Sequence, residues 1–146
     1  MPNAHQLPII IVEPPGKQRL MTSLYFRERD LHVLAYDNPA ILLADQTVLS
    51  RLGHMPLLIT GYTMPSCPIN GLDLARTLRA DKKYDTNLAL LARQADIELI
   101  KGNDHAGYNI NGRARPLFDG YLPHTQDPAI SIRNLDKLIC ELFHNP

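Results

Sequence analysis

Short apolar runs recur along the chain, and most of them are rich in β-branched or aliphatic residues. Runs of this length and composition are typical of strands that are buried on both faces, as in a parallel sheet. The runs that we predict as strands are 7–13, 31–36, 57–60, 88–92 and 120–122.

Between these runs the apolar residues lie three or four positions apart, which is the spacing of one face of a helix. This spacing predicts helices over 18–29, 39–52, 71–80 and 128–143. In the first helix the apolar positions include Leu20, Leu24 and Tyr25. The second begins with Asn38 and Pro39, an N-cap residue followed by proline in the first turn, and we expect one continuous helix after them.

Strands and helices therefore alternate, which predicts an α/β fold in three layers with a parallel sheet and right-handed crossovers. In open sheets of this kind, ligands bind outside the carboxyl ends of the strands. The residues to examine for chemistry are therefore those that follow each strand, at 13–14, 61–64, 92–93 and 123–125.

Composition narrows the class of protein. With 146 residues and 45% hydrophobic content, residues 1–146 are expected to form a single domain around one core. Fifteen basic and fifteen acidic residues cancel, which argues against nucleic acid or an anionic membrane as a partner. No apolar run approaches the roughly 18 residues of a membrane span, and the first residues do not resemble a secretory signal. Two cysteines are too few for a disulfide framework, so we expect a cytoplasmic protein.

Several segments together resemble the receiver domain of bacterial response regulators of two-component systems. They are "IIIVEPPGKQRL", "HVLAYDNPAILLADQ", "PLLITGYTMPSCPINGLDLARTLRA", "LALLA" and "DGYLPHTQDPAISIRNLDKLI". The most specific is the third strand followed by Met-Pro and then by "NGLDLARTLRA". This resemblance implies a CheY-like, flavodoxin-like fold with a five-stranded parallel sheet in the order 2-1-3-4-5.

The family chemistry that the resemblance implies is transfer of a phosphoryl group from a phosphohistidine to an aspartate. That aspartate lies at the end of the third strand, and a divalent cation held by two acids after the first strand offsets the negative charge. A Ser or Thr after the fourth strand and a Lys after the fifth contact the phosphoryl oxygens.

This sequence departs from that pattern at every position except one. The acceptor falls on Gly61, the acid pair on Glu13 and Pro14, the hydroxyl on Ala92 and the lysine on His124. With a single carboxylate left, we predict no metal site, no cofactor and no catalytic residue. The resemblance therefore indicates a degenerate receiver, or pseudo-receiver, that is not an enzyme.

The segment between the fourth and fifth strands is about ten residues longer than the resemblance requires. Its 96–101 part looks helical, and 102–118 has no helical period, so we expect a remodelled loop there. Loops on a rigid scaffold often carry recognition, although this segment also fits a solvated insertion without a partner. The candidate partner-binding residues in this loop are Tyr108, Arg113, Arg115 and Phe118, and on the fifth strand they are Tyr121 and Leu122.

The expected function is a phosphorylation-independent signalling module of a two-component-type pathway that binds another protein. The partner would be a kinase, an output domain or a second copy of the chain, contacted through Tyr121 and the helix at 128–143. The alternative is a small-molecule sensor or residual enzyme that uses the strand ends and the 101–118 loop. A nucleotide or flavin site is disfavoured because Pro14 and Pro15 supply no N–H groups to a phosphate.

Overall fold

The computed structural model describes residues 8–52, 57–61, 67–80, 89–94, 108–110, 113–115 and 118–143. In chain order its elements are β1 (Ile9–Val12), α1 (Lys17–Arg27), β2 (Val33–Tyr36), α2 (Pro39–Ala44), α3 (Gln46–Leu49), β3 (Leu57–Gly61), α4 (Gly71–Ala80), β4 (Ala89–Gln94), β5 (Tyr108–Ile110), β6 (Arg113–Arg115), β7 (Gly120–Pro123) and α5 (Pro128–Phe143).

Five of the strands form one sheet in the order β2-β1-β3-β4-β7, and every neighbouring pair is parallel. The predicted α/β fold with a parallel sheet is confirmed. β1 lies between β2 and β3, and all four of its residues are buried. A continuous β-branched run suits this place because a strand covered on both faces has no side for polar residues.

The side chains of the sheet alternate between two apolar clusters, one on each face. Ile10, Val12 and Leu58 pack with residues of α2, α3 and α4 on one face. Ile9 and Ile59 belong to the cluster on the other face, where the aromatic rings of α1 and the apolar residues of α5 lie. The strand sequence thus fixes both layers of helices.

Helix α1 presents a different side to the sheet than its leucines suggest. The buried residues are Thr22, Ser23, Tyr25 and Phe26. Leu20 and Leu24, which we placed on the apolar stripe, are 56% and 46% exposed. The two rings meet edge to face with centroids 5.0 Å apart, so the larger aromatic surface occupies the core and the leucines face outward.

The predicted continuous helix over 39–52 is wrong, because the chain breaks into α2 and α3 at Asp45. This residue has φ −92° and ψ 88°, outside the helical region, and its carboxylate accepts the Val48 N–H at 3.2 Å. The other carboxylate oxygen accepts the Tyr36 hydroxyl at 2.8 Å. An aspartate can cap a new helix where it also serves a buried hydroxyl, and here both bonds favour the break.

The segment expected as a loop over 102–118 contains a second, two-stranded sheet, which corrects that expectation. β5 and β6 pair antiparallel, with Tyr108 opposite Arg115 and Ile110 opposite Arg113. The sequence between them is Asn111-Gly112, the dipeptide most favoured between hairpin strands. The helical turn predicted at 96–101 lies outside the described residues.

A partly buried ion pair joins the end of α4 to the residue that precedes β7. Arg79 Nη2 lies 2.9 Å from Asp119 Oδ2, and the side chain of Arg79 is 2% exposed while that of Asp119 is 30% exposed. Removing one partner of such a pair leaves the other charge in a poorly solvated place. Asp119 is therefore one of the groups that stabilise the buried guanidinium of Arg79.

We predict that Asp119→Ala lowers the free energy of unfolding by about 2 kcal/mol, because it leaves the Arg79 guanidinium buried without this carboxylate. The matched control is Asp37→Ala, which removes a carboxylate 2.7 Å from Arg19 that is 55% exposed. That control should cost less than about 1 kcal/mol, as exposed pairs do. Equal losses in urea denaturation of the two variants would contradict the prediction.

Helices α1 and α5 are joined through one carboxylate. The Tyr25 hydroxyl donates to Asp136 Oδ1 at 2.5 Å, and Arg29 lies 3.5 Å from the same oxygen with its guanidinium 3.6 Å above the Tyr25 ring. Burial, followed by this hydrogen bond, raises the pKa of Tyr25 to about 12 from 10.0. Burial and the bond to Asp45 raise the pKa of Tyr36 likewise to about 12.

These shifts predict a loss of stability in alkali. Tyr25 releases its proton near pH 10 when the chain is unfolded and near pH 12 when it is folded, so its contribution is complete below pH 10 and disappears as pH rises to 12. The stability advantage of the wild type over Tyr25→Phe should shrink across that window by up to about 1.4 kcal/mol per pH unit. Chemical denaturation at several pH values measures it, and a constant difference would refute the assignment.

Candidate functional site

The carboxyl ends of the central strands meet at one edge of the sheet, which we call the rim: Glu13, Gly61, Arg93 and the residues after β7. The register pairs Val12 with Thr60, so Glu13 and Gly61, each one residue further on, follow side by side. The structure therefore brings together the predicted positions on β1 and β3. The residues at 62–66 lie outside the described part of the chain.

Glu13 is the acidic residue of the predicted pair, and it is buried, with 4% of its surface exposed. Its backbone is held on both sides: its N–H donates to the Tyr36 carbonyl at 3.0 Å, and its carbonyl accepts from Arg19 Nη1 at 3.2 Å. Pro14, the other predicted position, is exposed. A second carboxylate is thus absent from this loop, since Pro15 follows.

Gly61 is the buried last residue of β3. The neighbouring hydroxyl does not replace the missing acceptor. Thr60 is 1% exposed, and its Oγ1 donates to the Gly61 carbonyl at 2.9 Å. A hydroxyl that lacks access and gives its proton to a carbonyl beside it is not an activated nucleophile.

On β4 the register identifies a residue to which the sequence assigned no role. Ala92 pairs with Thr60 on one side and Tyr121 on the other, whereas Arg93 pairs with Gly61. The position abreast of the missing acceptor is therefore Arg93, one residue beyond the predicted Ala92. Strand ends in a sequence are uncertain by a residue or more, so only the hydrogen-bond register distinguishes the two positions.

At the end of β7, His124 follows Pro123 and is exposed. Tyr121 is half-buried and meets Phe118 edge to face, with ring centroids 6.4 Å apart. Phe118 and Leu122 are 2% and 1% exposed, so both are core residues and their prediction as partner contacts is wrong. Alternation along β7 explains Leu122, because it points to the cluster of α1 and α5.

The other predicted contact residues lie on the hairpin. Tyr108 is in β5, and Arg113 and Arg115 are in β6, with Tyr108 directly opposite Arg115. The backbone register of the hairpin therefore makes an aromatic and a basic residue cross-strand neighbours.

One polar group at the start of α1 was not foreseen from the sequence. The amide of Gln18 is buried at both its nitrogen and its oxygen, and neither atom has a hydrogen-bond partner in the described structure. Buried polar groups without a partner are rare in proteins. Gln18 lies five positions after Glu13 in the helix that begins at this end of the sheet.

The described residues hold neither a cluster of metal ligands nor a helix fit to span a membrane. They contain no group of three or more His, Cys, Asp or Glu side chains arranged to hold a metal ion. Within the same ranges, none of the helices has the length and apolar character that crossing a bilayer requires.

Comparison with solved structures identifies the fold. A response regulator in red light signaling of R. palustris superposes with a TM-score of 0.69 at 15% identity, over 96% of each chain. The chemotaxis response regulator CheY4 of Vibrio cholerae gives 0.67 at 15% identity, over 90% of this chain and 97% of that chain. A response regulator receiver protein from Pseudomonas putida gives 0.59 at 21% identity, over 89% and 96%.

These likenesses show that the chain has the receiver fold of CheY-like domains. No protein-family model matches the sequence, and no curated protein matches it either. Similar structures that share 14% to 21% sequence identity with this chain show its fold, but they do not show the chemistry of the rim.

Proposed function

We propose that this chain is a pseudo-receiver: a phosphorylation-independent signalling module of a two-component-type pathway. The observation that supports it is Gly61, a buried residue without a side chain at the end of β3, beside the buried carboxylate of Glu13. An acyl phosphate needs a carboxylate oxygen as nucleophile, and Gly61 offers none. The position that would receive the phosphoryl group is therefore chemically inert.

The remaining groups at the rim do not restore the reaction. Glu13 is a single carboxylate, and a divalent cation with one protein ligand beside a phosphoryl group lacks the second acid of the receiver pattern. The positions expected to contact phosphoryl oxygens carry Ala92 and His124. We infer that the chain has no catalytic activity and no cofactor, and that it works in the cytoplasm.

Signalling would then depend on binding through a fixed surface. The described part of that surface is the exposed side of α5 with Ile130 and Ile132, which are 39% and 41% exposed, together with the half-buried Tyr121 on β7, which packs on the other face of the sheet. The hairpin residues Tyr108, Arg113 and Arg115 would extend it. The partner would be a kinase, an output domain or a second copy of this chain.

Incubation with acetyl phosphate and Mg²⁺ tests the loss of the switch. We expect no phosphoryl adduct in the intact mass of the protein, because the acceptor carboxylate is missing. CheY4 of Vibrio cholerae, treated in parallel, is the positive control for the reagent. A phosphoryl adduct on this chain that is removed by treatment with base would overturn the proposal, because acyl phosphates are hydrolysed by base.

A small-molecule sensor is the second candidate, and the buried amide of Gln18 favours it. That amide offers two donors and an acceptor that no described residue uses. A small polar ligand would supply the missing partners only after the residues around Gln18 move, because both atoms of the amide are buried. Such a ligand at 100 times its dissociation constant stabilises a protein by about 2.7 kcal/mol.

Two variants distinguish these functions. If the chain is a binding module, Ile132→Lys should weaken copurification of its partner protein from the source cells by about tenfold, while Gln18→Leu leaves it unchanged. If the chain is a sensor, a metabolite that raises the melting temperature of the wild type should lose this effect in Gln18→Leu. Retention of the same partners by Ile132→Lys would contradict the proposed surface.

A further inference from the structure

Strand β2 has the sequence of an interior strand but lies at the edge of the sheet. Its residues are Val33, Leu34, Ala35 and Tyr36, which are all apolar or aromatic. Its pairing in the sheet is with β1, on one side. Edge strands usually carry a charged residue such as lysine, or a proline, and either of these prevents pairing with a further strand. β2 has none of these.

The backbone of β2 presents a regular set of outward hydrogen-bonding groups. The Ile9 N–H donates to the His32 carbonyl at 2.8 Å, and the Glu13 N–H donates to the Tyr36 carbonyl at 3.0 Å. Even-numbered residues therefore direct their groups toward β1. Since successive residues in a strand alternate, Val33 and Ala35 direct their N–H and C=O groups away from the sheet.

The apolar side chains at this edge are incompletely covered. Leu34 is in register with Ile10, whose side chain lies in the cluster beneath α2, α3 and α4. Leu34 is nevertheless 38% exposed, and Ile41 in the adjoining α2 is 46% exposed. The short α2 leaves apolar surface on both of these side chains.

We propose that the outer edge of β2 in the described sheet pairs with β2 of a second copy of this chain, in antiparallel orientation. A two-fold axis at Leu34 places Leu34 opposite Leu34 of the partner subunit. In this register Val33 and Ala35 of each copy exchange backbone hydrogen bonds, which uses every outward group of the strand. The two sheets become one continuous sheet of ten strands across the dimer.

The second copy suits this edge better than another strand does. The two ends of β2 differ in charge: Arg27, Asp30 and His32 line an open depression of about 360 Å³ beside its start, and Asp37, 55% exposed, follows its end. Antiparallel pairing brings Arg27 of one copy toward Asp37 of the partner subunit, and the neighbouring Asp30 offsets part of that attraction. These opposite charges favour that orientation twice in the symmetric dimer.

The other edge of the five-stranded sheet is a poorer match. It is β7, which contains Pro123 and therefore lacks one backbone donor. Pairing β2 of one copy with β7 of the next would also be head to tail, which produces open chains unless the rotation closes. A symmetric contact between two β2 strands closes at two copies.

Sedimentation across a concentration series tests the dimer. The contact is small, so we expect a monomer near about 1 µM and a dimer near about 200 µM. Leu34→Lys places two like charges opposite each other and should weaken association at least about tenfold. The matched control is Leu24→Lys, which changes a leucine of similar exposure on α1 and should dimerise like the wild type.

A cross-linking experiment covers the case in which Leu34→Lys fails to fold. In a background of Cys67→Ser and Cys140→Ser, Leu34→Cys should form a disulfide-linked dimer with oxidised glutathione, because directly opposite residues bring their Cβ atoms close enough for a disulfide. Leu24→Cys in the same background should stay monomeric. A wild type that remains monomeric near 200 µM, or a dimer that Leu34→Lys leaves as strong as Leu24→Lys does, would overturn the proposal.

The test is independent of the proposed function. Dimerisation through β2 concerns the opposite edge of the sheet from Tyr121 and α5, so a dimer that is lost on Ile132→Lys and kept on Leu34→Lys would support the α5 surface and refute this one.

Discussion

The parallel pairing of β1 with its two neighbours is the constraint on which the rest of the structure depends. Four successive apolar residues at Ile9–Val12 are buried on both faces, so β1 must be covered by helices above and below. The same pairing fixes where its neighbours end. Because Val12 is level with Thr60, Glu13 and Gly61 lie side by side at the rim, and the chemical character of the site follows from that register.

Under the proposed function, the rim keeps the backbone geometry of a receiver without its chemistry. The scaffold still delivers the ends of β1, β3, β4 and β7 to one place, and Arg19 still fixes the loop after β1 through the Glu13 carbonyl. In that proposal the reactive side chains are lacking, because Glu13 is the one buried carboxylate among the described residues of the rim, whereas phosphoryl transfer with a cation needs several. Backbone geometry and reactive side chains would therefore be separate properties of this molecule. The similarity to receiver structures concerns the backbone geometry.

The sequence predicted the elements better than their contacts. The helices over Gly71–Ala80 and Pro128–Phe143 have the bounds that their spacing indicates, because a capping residue and a clear apolar stripe agree there. The outward face of α1 was not predictable, since Tyr25 and Phe26 compete with the leucines for the core and only packing decides. The break at Asp45 depends on a hydroxyl from β2, and the position of Arg93 depends on register, which are both long-range facts.

The ion pair between Arg79 and Asp119 has an evolutionary consequence. Its partners are 40 positions apart, and they fasten the last turn of α4 directly to the first residues of the final sheet strand. The ion pair therefore holds the two ends of the intervening polypeptide close together. Because β4 lies in this stretch and pairs with β3 and β7, we expect insertions and deletions to be tolerated only between β4 and β7, where lineages of this protein can diverge in length without losing the sheet.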